Sequence, residues 1–263
     1  MKKIVFILSV FTLLNAQAQK PQPVVIEKSY VQFEKGLYVS IYEITNQEYN
    51  AFLKDIFPAT EKREFQKLKP DSTLWVKSFE YSYNAPFVND YHSHPAFAKH
   101  PVVNIAKESM EKYCEWLTQK YNSQEKRKFA KVKFRLPSES EWLKFAKPLP
   151  GIPLPWAGNL PYSIDKKGKI TPLANLKIFD YTTNKYNYIF DNALYPTNVG
   201  YYKPNSIGLF DIIGNVAECT SEGKVKGGSW GNTIEESLIN LNQDVPIQSP
   251  VVGFRIVMEV ISD

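Results

Sequence analysis

Pro204–Trp230 reads PNSIGLFDIIGNVAECTSEGKVKGGSW, in which Asn205-Ser206, Gly208, Gly214-Asn215 and Gly227-Gly228 interrupt apolar runs too short for a helix. That punctuation predicts tight turns joining brief strands. Within it, Asp211 and Glu218 bracket a turn whose backbone carbonyls can point where the carboxylates point. Several oxygens on a flexible loop are what a hard cation such as calcium takes. The other reading is that both carboxylates serve only the amides of the turn, as short acidic turns commonly do.

Around this stretch, 263 residues with 43% hydrophobic content can bury a sizeable core, and one large domain is the expectation. Sixteen Tyr, sixteen Phe and five Trp favour a loop-rich fold held by aromatic anchors over an architecture of long helices. The net charge is +5, which falls to +3 once Lys2 and Lys3 leave with the N-terminus, and nucleic acid is not an expected partner.

Met1–Lys20 has a basic start, an apolar run from Ile4 to Leu14 and the small-residue pattern Ala16-Gln17-Ala18. The run is short for a membrane span, so a secretory signal peptide over 1–18 is expected, leaving one domain over 19–263. Export to the periplasm or beyond follows, without stable membrane insertion. An uncleaved anchor is the competing reading. The cleavage region carries no cysteine for a lipoprotein anchor. Cys114 and Cys219 are the only cysteines, and a bridge between them or two buried thiols are both open.

Upstream, Tyr30–Glu43 should form strands. Thr45 with Glu48 makes a capping box for a helix whose core face is Tyr49, Phe52, Leu53 and Ile56, and Asn46 reads as part of the cap. Pro58–Lys99 reads as a surface excursion. It carries His92 and His94, with His100 next; an imidazole metal site there would need further ligands, and a solvated or hydrogen-bonded pair is the plainer account. Val102, Val103 and Ile105 are expected as a short buried strand, and Met110, Tyr113, Cys114, Leu117 and Tyr121 as one helix face. The basic run Lys126–Lys133 suits a charged turn before a strand over Val132–Leu136. Ser138 and Glu141 form a second capping box, which also explains Glu139 and Glu141 without acid–base chemistry. Leu149–Asp191 reads as a meander with few regular elements.

PNSIGLFDIIGNVAE, KVKGGSW and GFRI, with YEITN, HPVVNIAKESMEKYCEWL and FRLPSESEWLKFA, resemble the ordered signature blocks of the formylglycine-generating enzyme (sulfatase-modifying factor) family. The resemblance runs from about Tyr30 to Met258. It implies a single α+β, loop-rich mixed domain related to C-type lectin-like folds. It also implies two calcium sites: Asn175 and Asp191 with the carbonyls of Leu176 and Ala193, and Asp211 and Glu218 with the carbonyls of Gly214 and Val216. In the family, catalytic members carry a copper-binding cysteine pair after Gly-Gly-Ser-x. Here residues 231–257 contain neither cysteine nor histidine, and Asn, Thr and Ser do not supply soft thiolate ligation, so no copper is expected.

The leading expectation is therefore an exported, non-catalytic member that binds a protein partner or serves as a structural part of the bacterial cell envelope, since members serve in gliding and secretion machinery. Two alternatives stand beside it. One is a metal-dependent oxidase or sulfatase-modifying enzyme with a non-standard site built on His92, His94 and His100. The other is a carbohydrate-binding module that uses the aromatic-rich loops on a glycan.

Overall fold

The computed structural model describes residues 26–78, 85–147, 150–180, 184–187, 191 and 193–262, and the expected signal segment 1–18 lies outside them. The chain opens on a hairpin, β1 (Tyr30–Glu34) and β2 (Leu37–Ser40). Helices α1 (Asn46–Ile56), α2 (Lys62–Leu68), α3 (Leu74–Ser78), α4 (Ala85–Asn89) and α5 (Lys107–Asn122) follow. Next come β3 (Lys131–Arg135) and α6 (Glu139–Ala146). Two small hairpins, β4 (Tyr162–Ile164) with β5 (Ile170–Pro172) and β6 (Ile178–Asp180) with β7 (Lys185–Asn187), give the 149–191 meander its regular parts. The chain closes with β8 (Ala217–Cys219), β9 (Val225–Lys226), β10 (Val252–Gly253) and β11 (Val257–Ser262).

The main sheet is antiparallel in the order β1-β2-β11-β3, so the last strand lies between two that precede it by more than a hundred residues. Strand alternation divides its side chains between two cores. Val132, Phe134 and Met258 join the buried face of α5, while Val39 and Val257 join Trp142 and Phe145 of α6. A second sheet, β10-β8-β9, pairs β8 in parallel with β10 and in antiparallel with β9. Through it the turn at 211–218 is fixed to the C-terminal segment.

Both capping boxes form. The Thr45 hydroxyl accepts the Glu48 N–H while the Glu48 carboxylate accepts the Thr45 N–H at 2.8 Å, and Ser138 with Glu141 repeats the pattern. Met110, Tyr113, Cys114, Leu117 and Tyr121 are buried along α5. At the outer edge of β3, α5 replaces a neighbouring strand. The Asn122 amide donates to the Val132 carbonyl and accepts the Val132 N–H, and the Thr118 hydroxyl accepts the Phe134 N–H. An edge whose amides are satisfied this way does not recruit another strand.

Two expectations need correction. Val102–Ile105 is buried but is not a strand: one bridge joins Thr45 to Pro101, and the segment otherwise hangs on single bonds, Val102 N–H to Ile44 O at 2.8 Å and Asn104 N–H to Ser249 O at 3.1 Å. Asn104 in the left-handed region, with φ of 62°, breaks the extended run. Nor is 58–99 only a surface excursion. Trp75 and Tyr91 are fully buried in a third core with Val103, Val216 and Trp230, so two aromatic anchors bring its irregular chain against the turn that follows Gly214.

Candidate functional site

The glycine-punctuated stretch folds as a run of left-handed positions, with Asp211 at φ 55° and Asn215 at φ 60° beside Gly208, Gly214, Gly227 and Gly228. Asn215 is its hub. Its backbone N–H donates to the Asn175 carbonyl at 3.0 Å, and its amide donates to Glu43 Oε2 at 2.7 Å. Its side-chain oxygen accepts the Thr197 N–H and the Asn175 amide. The two ligand sets implied by the family are therefore neighbours, joined through Asn175 and Asn215.

Behind the turn lies a buried charge network that the sequence reading missed. Arg255, fully buried, pairs with Glu218 at 2.5 Å and donates further to the carbonyls of Ser40, Ile41 and Phe210. Glu218 also accepts the indole N–H of Trp142 at 2.8 Å. Glu43 accepts the Val216 N–H in addition to Asn215. Burial pushes the Glu43 carboxyl well above its usual range, and the nearby charges of Asp211 and Glu218 push the same way. Arg255 stood in the GFRI block and Glu43 in YEITN, but their partners are far away in the chain and neither had been given a role.

The two candidate calcium sets differ in what their side chains are already doing. In the first, Asn175 Oδ1 is buried with no hydrogen-bond partner, while Asp191 accepts the N–H groups of Leu176 and Ala193 at 2.7 and 3.1 Å. Burial raises Asp191 to about 6, against those two donors. An orphaned carboxamide oxygen beside a buried carboxylate that is reluctant to ionise suits a hard cation. In the second set, Asp211 Oδ2 accepts the Gly200 N–H at 2.7 Å and its Oδ1 is likewise buried and unpartnered. Burial raises Asp211 to about 6 as well. Glu218, however, is already neutralised by Arg255. A second cation there would have to share its carboxylate with a guanidinium, so the first set fits calcium better than the second.

The three histidines have separate partners. His92 donates from Nδ1 to Asn46 Oδ1 at 3.2 Å and accepts at Nε2 from the Asn104 amide at 3.5 Å, since the Asn46 amide nitrogen is already donating to the carbonyls of Tyr91 and Phe97. Asn46 is thus a staple for the histidine loop rather than a cap. His94 Nδ1 accepts the Ala96 N–H and starts a short 3-10 turn. His100 packs edge-on against the rings of Tyr91 and Phe97, and its Nδ1 is buried without a hydrogen-bond partner. Among the described residues no three His, Cys, Asp or Glu side chains converge for a metal. Cys114 and Cys219 are both free and buried in the same core, and burial pushes the Cys219 thiol up to about 12 and the Cys114 thiol further.

Burial also holds His92 down to about 3 and His100 to about 4. The unfolded chain accepts those protons near pH 6.5 and the folded chain does not, so the stability that the two neutral histidines contribute is full above about pH 6.5 and is lost as the pH falls toward 4. For His92 the loss at pH 4 is on the order of 3 kcal/mol. The buried carboxyls Asp191, Asp211 and Glu43 act in the opposite sense over the same range, so the test is the difference between two urea titrations from pH 7 to 4: the parent chain should lose stability relative to His92→Gln as the pH falls. An unchanged slope in that variant would refute the assignment.

A model of the sulfatase-modifying factor enzyme 1-like domain matches residues 13–260, beginning inside the expected signal segment. The chain belongs to this family. No curated protein matches it. Among solved structures it is similar to PvdO from Pseudomonas aeruginosa, with a TM-score of 0.52 and 19% identity over 85% of this chain and 80% of that one. It is similar also to Treponema denticola variable protein 1, with a TM-score of 0.52 and 17% identity over 85% and 84%. At these identities the likeness bears on the fold, a mixed α+β domain of the expected type.

Proposed function

We propose that this chain is a non-catalytic, exported member of the family, whose calcium-tied loops form a rigid scaffold for a protein partner in the bacterial cell envelope. One observation carries the reading. The segment after Gly227-Gly228-Ser229-Trp230, where catalytic members of the family carry their thiol pair, has no cysteine, and the chain's two thiols are buried in the apolar core with their protons held on. Sulfurs enclosed in the apolar core present no exposed thiolate pair for Cu(I) to bind. When bound, calcium would supply charge to fix the loop; Asn175 and Asp191, with the carbonyls of Leu176 and Ala193, would hold it.

The test is oxygen uptake with Cu(I), a reductant and a cysteine-containing peptide. The chain should consume oxygen no faster than copper and reductant alone, and peptide turnover would overturn the reading.

Calcium has its own test. Asn175→Ala should lower the melting temperature more in calcium than in chelator, because a cation that binds only the folded state stabilises by mass action. Glu218→Gln should lower it about equally in both, since its partner is Arg255. Equal shifts for Asn175→Ala in the two buffers would remove calcium from the first set.

A further inference from the structure

One end of the main sheet concentrates positive charge. The β1–β2 turn and the ends of β3 and β11 meet there: the Val260 N–H donates to the Gly36 carbonyl at 2.9 Å, and Ser262 stands opposite Lys131. The α5–β3 connection passes over the same end. Residues 124–133 contain five cations, Lys126, Arg127, Lys128, Lys131 and Lys133, against the single acid Glu125, and Lys35 comes from the β1–β2 turn. All six cations are exposed. Several lysines of the helices are matched instead: Lys67 pairs with Glu64, Lys77 with Asp71, Lys112 with Glu115, Lys120 with Asp55 and Lys144 with Glu34. Among the described residues, Lys35, Lys126, Lys131 and Lys133 make no ion pair, and the acids beside Lys131 and Lys133 are engaged elsewhere, Glu259 with Arg135 and Glu115 with Lys112.

Two further features narrow what such a surface can meet. Strand addition at the β3 edge is closed by Asn122 and Thr118. Next to Lys131 and Lys133 stands Ile261, half exposed near the end of strand β11, and Lys128 lies over the rings of Tyr38 and Phe129. An acidic polysaccharide or other polyanion would be drawn by the lysines but gain nothing from Ile261. An anionic bilayer surface takes both, drawing the lysines to its headgroups and the isoleucine to the boundary beneath them.

We propose that the sheet end formed by Lys35, Lys126, Lys128, Lys131, Lys133 and Ile261 is a peripheral docking surface for an anionic lipid bilayer. The inference is independent of the calcium loops and of the non-catalytic reading, and it can fail while both stand. It is tested by sedimenting the full chain, as recovered from the expressing cell and with its N-terminus determined by mass spectrometry, with phosphatidylcholine vesicles that contain or lack phosphatidylglycerol. Binding should require phosphatidylglycerol and should fall as salt is raised. Lys131→Gln with Lys133→Gln should weaken it about tenfold or more. Lys67→Gln with Lys77→Gln removes the same charge from matched helical lysines and should change binding less than twofold. Ile261→Ser should weaken it severalfold.

Equal binding to both vesicle types would overturn the proposal, as would equal losses in the two double variants. Retention on heparin without vesicle binding would overturn it in favour of an acidic polysaccharide. All the substituted residues are exposed or half-exposed, so unchanged melting temperatures separate loss of binding from loss of fold.

Discussion

Arg255→Leu is expected to leave little or no folded protein. The guanidinium is fully buried, neutralises Glu218 at 2.5 Å and donates to the carbonyls of Ser40, Ile41 and Phe210, so leucine orphans a buried carboxylate and three carbonyl groups together. Breaking a buried pair from one side costs about 3–5 kcal/mol, a large part of the about 5–15 kcal/mol that holds a domain together. Glu43 and Asp211 worsen the imbalance, because both are buried carboxylates within reach of the same guanidinium charge. The pairing makes a sharper prediction than the single variant. Adding Glu218→Gln should recover part of the lost stability, since it removes the charge that leucine stranded. Circular dichroism during urea unfolding reads both effects. A normal midpoint for Arg255→Leu, or a double variant weaker than the single one by the full cost of Glu218→Gln, would show that the pair does not hold the core.

Gly214→Ala is expected to be nearly as damaging, for a different reason. Gly214 has φ of 81°, and a Cβ there would lie 2.3 Å from the Asn175 carbonyl oxygen, the atom that accepts the Asn215 N–H. The left-handed conformation alone costs an L-residue roughly 1–2 kcal/mol. The overlap is with backbone, which cannot rotate away, so the loops must separate and Asn215 loses its partners. Gly208→Ala supplies the control. Its φ is 91°, but the nearest atom to its Cβ would be a Val31 methyl at 4.0 Å, so only the conformational penalty remains. The gap between the two melting temperatures should therefore report the closeness of the two loops. If the variants lose the same stability, the approach of Gly214 to Asn175 is not what fixes the turn.

Where the sequence was informative, the information was local. The Thr45–Glu48 and Ser138–Glu141 boxes, the α5 face and the left-handed turns around Gly214 all depend on residues a few positions apart, and spacing shows them directly. Arg255 was different. It meets Glu218 across 37 positions and Ser40 across 215, and Glu43 meets Asn215 across 172, so no window of sequence contains the pair. The same distance hid Trp75 and Tyr91, whose irregular surroundings read as surface while their packing partners lie at Val216 and Trp230. Asn46 looked like a cap because it stands beside one; its amide goes instead to Tyr91, Phe97 and His92. The family blocks named eight candidate calcium residues without ranking them by their partners; only the folded chain distinguishes Asn175, whose side-chain oxygen has no partner, from Glu218, which has three donors.

The position of β11 sets the order of events during synthesis. Val257–Ser262 pairs with β2 on one side and β3 on the other, so the first hairpin and the third strand cannot join until the final residues are available. Arg255, two residues earlier, is the only described cation paired with Glu218, so the buried charges also stay unbalanced until then. A nascent chain with this layout has local helices but no finished sheet until residues 257–262 have left the ribosome, and closing so long a loop comes late. For the export proposed above, a sheet that closes only with β11 would leave the chain threadable until that strand is made.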